Sequence, residues 1–160
     1  MIKEKELLIT TRHIALATVN EDGTPHNTPL FFIYNSDFSK MYWGSHPDSL
    51  HSKNIVRTGE GYAVAYDSKI WGQGGLYLTL KNAHEVTDEE LPEAIRVHNE
   101  TRARWGKGPL DISYYQSPNP QRMYIADIAK IESYKVVRDP NNNVVEETRV
   151  EISAQDLLND

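Results

Sequence analysis

The 160-residue chain contains no cysteine. That absence excludes a disulfide scaffold, a thiolate zinc site, a cysteine nucleophile and a cysteine-bound iron–sulfur cluster. A chain of this length can bury a core large enough to fold without such cross-links. The lack of cysteine also fits a reducing compartment, and we expect the protein to be cytoplasmic.

The sequence also lacks any apolar run near the roughly 20 residues that a membrane-spanning helix needs. Its first ten residues, MIKEKELLIT, alternate charges before a short apolar patch and lack the long hydrophobic region of a signal peptide. Motifs of serine hydrolases, zinc proteases and P-loop nucleotide-binding proteins are absent too. We therefore expect no membrane partner, and the sequence assigns no catalytic residue.

The sequence has fewer basic residues (17) than acidic residues (23). The net charge is −6, and residues 139–160 contribute −5 of it through six acidic residues and Arg149, so the remaining body is nearly neutral. A polyanion such as duplex nucleic acid requires a basic surface. The charge therefore predicts no nucleic-acid partner, whereas a neutral body can still bind one phosphate.

Short β-favouring segments separated by turn signals fill most of the chain. A strand over 13–20 ends at Asp22-Gly23 and is followed by a second over 25–34, which predicts a hairpin. Further strands are predicted at 40–44, 61–67, 76–86, 123–137 (with a bulge) and 144–152.

Helices are predicted over 45–57, over 91–104 and in a last turn at 153–158. The pattern as a whole indicates a mainly antiparallel α+β fold, a six- to seven-stranded barrel with flanking helices, in a single domain over 1–160 whose end (139–160) is acidic.

One segment, 45–54, combines three serines, two histidines and Lys53 around a predicted helix start. Free amide N–H groups, hydroxyls and a cation together can hold a phosphate group. Asp48 argues against this, because its carboxylate would repel a phosphate. An ordinary capped surface helix explains the same residues.

A second segment, 67–75, contains Trp71-Gly-Gln73-Gly-Gly75. A flat ring, an amide and an open backbone could line a planar heterocycle, but the segment taken alone favours a glycine-rich hairpin loop with a core tryptophan. The six histidines are scattered, and His46-x-Asp48-x-x-His51 does not have the spacing of a helical metal site. We expect no bound metal.

The order of these segments resembles a known family. The segments that carry the resemblance are 16–32 (LATVNEDGTPHNTPLFF), 41–45 (MYWGS), 52–55 (SKNI), 61–65 (GYAVA) and 83–86 (AHEV). They resemble the pyridoxamine 5′-phosphate oxidase-like FMN-binding split-barrel family over roughly residues 8–137.

The resemblance implies a split barrel that dimerises with FMN at the subunit interface and acts as an oxidoreductase on a small-molecule substrate or electron donor. The strand Thr28, Pro29, Leu30 and Phe31 would face the isoalloxazine ring. The ribityl phosphate would lie near Ser45, His51, Ser52 and Lys53. Trp71 and Gln73 would approach the ring from the other subunit.

The chain departs from the oxidases proper in three places. Thr28 and Ile33 occupy the positions at which those enzymes have an arginine and a lysine. The phosphate-binding motif Ser-Arg-Lys is replaced by His51-Ser52-Lys53. The Arg-x-His signature that those enzymes have near the C-terminus is missing. Pyridoxamine phosphate is therefore not expected as substrate. The alternatives are a non-enzymatic barrel that binds haem, a flavin or a metabolite, and, less consistent with the charge, a nucleic-acid-binding barrel.

Overall fold

The computed structural model describes residues 4–69 and 75–159. Within these residues eight strands are present: β1 (His13–Val19), β2 (Pro25–Phe31), β3 (Ile33–Tyr34), β4 (Lys40–Ser45), β5 (Gly61–Ala65), β6 (Leu76–Glu85), β7 (Arg122–Arg138) and β8 (Val144–Ile152). The helices are α1 (Glu4–Thr10), α2 (Leu50–Thr58), α3 (Leu91–Arg104) and α4 (Ala154–Asn159), with a 3-10 turn at Ile112–Tyr115.

The strands form one antiparallel sheet in the order β2-β1-β5-β6-β7-β4-β3, and β8 pairs with the second half of β7. The first and last strands in this order, β2 and β3, are separated along the chain only by Phe32. The sheet must therefore curl until its two ends meet, which gives a half-barrel with flanking helices. The predicted α+β split-barrel class is confirmed.

Successive side chains along each strand point to opposite faces of the sheet, so the apolar residues form two separate cores. On β4, Met41 and Trp43 point into the barrel and are fully buried, whereas Tyr42 points outward. The inner cluster also takes in Leu16 and Leu78. The outer cluster lies under α3, which covers the other face of β3, β4 and β7 with Leu91, Ala94, Ile95 and Val97.

Three details differ from the sequence-based expectations. The predicted strand 25–34 is broken at Phe32, which raises the strand count to eight. The second helix begins at Leu50 rather than near Pro47, because residues 47–49 form a turn closed by Ser49 N–H donating to His46 O at 3.1 Å. The N-terminal helix α1 was not predicted. The bulge is confirmed: the register shift opposite Thr79/Leu80 leaves Ala129 of β7 unpaired.

Helix α2 ends at a glycine whose conformation other residues rarely adopt. Gly59 has φ 67°, and its N–H donates to Ile55 O at 2.8 Å. Gly59→Ala is expected to lower the free energy of unfolding by about 1 kcal/mol, because a Cβ is strained in the left-handed region. Urea denaturation measures this. The control Gly108→Ala, at a glycine with open space around it, should change stability by less than about 0.5 kcal/mol. Equal effects at both positions would contradict the prediction.

Candidate functional site

Four polar side chains meet where β4 ends and α2 begins. Ser45 is the last residue of β4, Ser49 is the N-cap of α2, and His51 and Ser52 lie in its first turn. Ser45 Oγ lies 2.7 Å and Ser49 Oγ 3.1 Å from His51 Nε2. The two hydroxyl oxygens are 3.0 Å apart, and Ser49 Oγ is 2.8 Å from Ser52 Oγ. We call these residues the serine–histidine cluster.

The cluster is buried at the edge of the barrel interior. Ser45 and His51 are each 8% exposed and Ser52 is not exposed at all. Burial, together with the nearby His26, lowers the pKa of His51. The two imidazole rings are stacked with centroids 6.4 Å apart. At neutral pH His51 is therefore an uncharged group that can donate or accept one hydrogen bond at Nε2.

The start of α2 leaves its first backbone N–H groups without an intrahelical acceptor. The first such bond runs from Lys53 N–H to Ser49 O at 3.1 Å, so Leu50, His51 and Ser52 precede it. Ser49 makes no side-chain cap and instead joins the cluster. Uncapped N–H groups and the positive end of the helix dipole both favour an anion at this position.

One cation lies on the helix that carries the cluster and another on the strand paired with Ser45, and the sequence indicated only the first. Lys53 is exposed, and its Nζ is 3.7 Å from a carboxylate oxygen of Asp48, so part of its charge is already balanced. Arg122 is the direct partner of Ser45 across the β4–β7 ladder. Directly opposed residues point to the same face of a sheet, so the Arg122 side chain shares the face of Ser45.

Arg122 is held in place by its own loop. Its Nη1 donates to Asn119 O at 2.6 Å and to Gln121 O at 2.7 Å, and its Nε lies 3.7 Å from Glu85. The side chain is mostly buried, at 26% exposed. Nothing in the sequence near residue 122 marks it as a site residue, because only the strand register brings it opposite Ser45.

The strand predicted to face a planar ring alternates between two surfaces. Thr28 is half-buried and Leu30 is buried, and both share the inner face with His26, which reaches His51. Phe31 points outward, with its ring 4.9 Å from that of Trp105, and Pro29 is exposed. The structure thus brings the inner face of β2, but not Phe31, toward the cluster.

The remaining predicted ring contacts, Trp71 and Gln73, lie outside the described residues. Within residues 4–69 and 75–159, no group of three histidine or acidic side chains is placed to hold a metal ion. In the same ranges, no helix is long and apolar enough to cross a membrane.

No family model matches the sequence, and no curated protein does. Solved structures do match the fold. The haem storage protein HutZ from Vibrio cholerae superposes with a TM-score of 0.60 at 18% identity, covering 78% of this chain and 86% of that one. A candidate pyridoxamine 5′-phosphate oxidase from Listeria innocua gives 0.56 at 18% identity, covering 78% and 90%.

A third solved structure, an F420 reductase, superposes with a TM-score of 0.58 at 14% identity, covering 82% of this chain and 97% of that one. At such identities the likeness concerns the fold. It agrees with the strand order, the half-barrel and the flanking helices described above. The chain therefore has the split-barrel fold of the pyridoxamine 5′-phosphate oxidase-like proteins.

Proposed function

We propose that this protein is a homodimeric, cytoplasmic flavoprotein that binds FMN and acts as an oxidoreductase on a small molecule. The observation that carries the proposal is the serine–histidine cluster at the uncapped start of α2, with Arg122 on the same face as Ser45. The fold is shared with structures named as an F420 reductase and a candidate pyridoxamine 5′-phosphate oxidase, which supports flavin-type chemistry.

The residues present fit a single phosphate monoester. The N–H groups at the start of α2 and the hydroxyl of Ser45 are donors, and the Arg122 guanidinium would add charge-assisted bonds. Ser49 Oγ already donates to His46 O at 2.7 Å, and Ser52 is fully buried, so these two hydroxyls support the site from behind. In the tautomer that carries its proton on Nε2, His51 would donate to Ser45 Oγ and leave the serine proton free for a phosphate oxygen. Asp48 lies on the exposed side, paired with Lys53, and so weakens Lys53 as a phosphate ligand.

FMN, when bound, supplies hydride and single-electron transfer chemistry. The protein's part is to bind and orient the group and to exclude water around it. The inner face of β2, through His26 and Thr28, adjoins the cluster and offers a surface along which a ring attached to the phosphate would extend.

The proposed dimer places a second copy against the outer face of β1, β5 and β6. Ala17, Val64 and Tyr77 alternate with fully buried inner residues and are themselves only half-buried. A shallow depression of about 380 Å³ lies on this side, bordered by Ala17, Tyr62 and Thr79. Light scattering should give the dimer mass at working concentrations, and the monomer mass would contradict this part of the proposal.

Purified protein is expected to be yellow or to take up FMN, with quenched flavin fluorescence and a raised melting temperature. Arg122→Gln should weaken FMN binding by about 1.5–3 kcal/mol, the value of a charge-assisted hydrogen bond. Lys53→Gln should cost less, about 0.5–1 kcal/mol, because the Lys53 side chain is solvent-exposed whereas that of Arg122 is mostly buried. Isothermal titration with FMN measures both.

The control is Lys135→Gln, an exposed residue thirteen positions along the same strand β7. It should leave FMN affinity unchanged. A colourless protein whose melting temperature does not respond to FMN would refute the flavoprotein. Equal affinity of Arg122→Gln and wild type would remove Arg122 from the site.

A second candidate function is non-catalytic binding of haem or another cofactor. The likeness to the haem storage protein HutZ favours it, as does the small number of cations at the cluster. Reduction of the bound flavin by NAD(P)H, followed by turnover on an added electron acceptor, would decide for the oxidoreductase. A Soret band on haem addition, with no response to FMN, would decide for the alternative.

A further inference from the structure

A cavity lies away from the serine–histidine cluster, between the end of α1, the end of α3 and the β2–β3 junction. Its volume is about 320 Å³, and its principal lining residues are Arg12, Phe32, Tyr34, Thr101, Arg104 and Trp105. Tyr34, which lines the cavity, is paired with Met41 of β4. Because Met41 is four residues before Ser45 on that strand, the cavity and the serine–histidine cluster are about 13 Å apart. Small organic ligands occupy pockets of roughly 300–1,000 Å³.

Aromatic rings form the walls of this cavity. Phe32 is buried, and burial raises the pKa of the Tyr34 phenol, which therefore stays neutral. Trp105 is fixed edge-on against Phe31, with ring centroids 4.9 Å apart. Rings held in this way offer flat contact area at little further entropic cost.

Two guanidinium groups border the same cavity. Arg12 lies over the Trp105 ring, 5.4 Å from its centroid, and Arg104 lies over the Tyr34 ring at 5.9 Å. Arg104 Nη2 donates to Thr101 Oγ1 at 2.8 Å, which fixes its direction. Both residues are exposed, and these contacts restrict the positions of their guanidinium groups at the mouth of the cavity.

The described residues place no carboxylate in this arrangement. Among the described residues, none that lines the cavity is acidic, and neither arginine is within ion-pair distance of an acidic side chain. On the same helix, Arg96 by contrast bonds both Glu93 and Glu100. In a protein of net charge −6, two arginines that face one aromatic cavity, with no acidic partner among residues 4–69 and 75–159, leave donors available for an external anion.

We propose that this cavity binds a small aromatic carboxylate. The ring of the ligand packs among Phe32, Tyr34 and Trp105, and its carboxylate accepts hydrogen bonds from Arg12 and Arg104. The guanidinium fork matches the two oxygens of a carboxylate. This site is separate from the proposed phosphate site and does not depend on FMN.

Isothermal titration of the full chain with benzoate tests the proposal. Benzoate is expected to bind at one site per chain, whereas benzyl alcohol, which lacks the charge, and acetate, which lacks the ring, bind at least tenfold more weakly. No binding of benzoate at millimolar concentration would overturn the proposal. If benzyl alcohol bound as tightly as benzoate, the proposed role of the arginines would be wrong. If acetate bound as tightly as benzoate, the proposed role of the aromatic rings would be wrong.

Arg12→Gln and Arg104→Gln should each weaken benzoate binding about tenfold or more, the effect of losing a charge-assisted hydrogen bond. Arg96→Gln, on the same helix as Arg104 but outside the cavity, is the matched control and should leave it unchanged. Arg122→Gln should also leave benzoate binding unchanged, which separates this site from the proposed FMN site. Benzoate affinity unaltered by both cavity variants would place the ligand elsewhere and contradict the assignment.

Discussion

Trp43→Ala is expected to lower the free energy of unfolding by about 3–5 kcal/mol, the usual cost of removing a buried aromatic side chain. Trp43 is fully buried in the middle of β4. Its ring stacks on that of Tyr124 across the ladder, with centroids 5.8 Å apart. Truncation would leave a cavity in the barrel interior that the surrounding sheet cannot collapse to fill.

A second variant shows whether the lost stability comes from apolar contact of the indole ring or from a hydrogen bond of its N–H group. Trp43 Nε1 has no hydrogen-bond partner among the described residues, so the indole contributes through apolar contact. Trp43→Phe should therefore cost clearly less than Trp43→Ala in urea denaturation, and Val56→Ala, at an exposed position of α2, less than about 0.5 kcal/mol. A cost below about 1 kcal/mol for Trp43→Ala would contradict a packed barrel interior.

Stability is expected to fall as the pH drops from about 6.5 to 4, and His98 should be the main single cause. Burial, with a smaller effect of Arg102, lowers the pKa of His98 to about 4. The ring lies between Phe31 and Tyr115, and its Nδ1 has no partner among the described residues. Between these pH values the unfolded chain binds a proton that the folded chain does not.

Protonation of His98 therefore does not lower the free energy of unfolding above pH 6.5. Between pH 6.5 and 4 it lowers the free energy of unfolding progressively, by about 3 kcal/mol at most. His98→Phe, which keeps a ring in the apolar site, should flatten the curve of unfolding free energy against pH. His13→Gln, at an exposed position, should leave its slope unchanged. The lowered pKa of His51 adds a contribution of the same sign. A His98 pKa near 6.5 by NMR titration would disprove the mechanism.

Local signals were sufficient for most of the fold. The Asp22-Gly23 turn fixed the first hairpin, and the early acidic and late basic residues fixed α3, whose bounds match the prediction. Contacts between distant segments decided the rest. The break at Phe32 follows from closing the half-barrel, and α1 is held by burying Leu7 and Leu8 in the inner core. Neither the closing of the half-barrel nor the packing of α1 against the inner core produces a pattern in the local sequence.

The same distinction applies to the candidate site. Ser45, His51 and Ser52 are close in sequence, and the structure brings them together. Arg122 could not be predicted, because its position opposite Ser45 depends on the register of two strands far apart in the chain. The role of Thr28, Pro29, Leu30, Phe31 and Lys53 toward a ligand stays a prediction.

Half of the acidic residues in the segment 139–160 lie on a strand edge. Among the described strands, β8 pairs with β7 alone, and it carries Glu146, Glu147 and Glu151 beside exposed valines. Valine-rich edges invite strand addition by another molecule, whereas two edges bearing the same charge repel each other. We therefore expect the acidic strand to oppose edge-to-edge polymerisation. The proposed dimer would then form through a face that carries less charge.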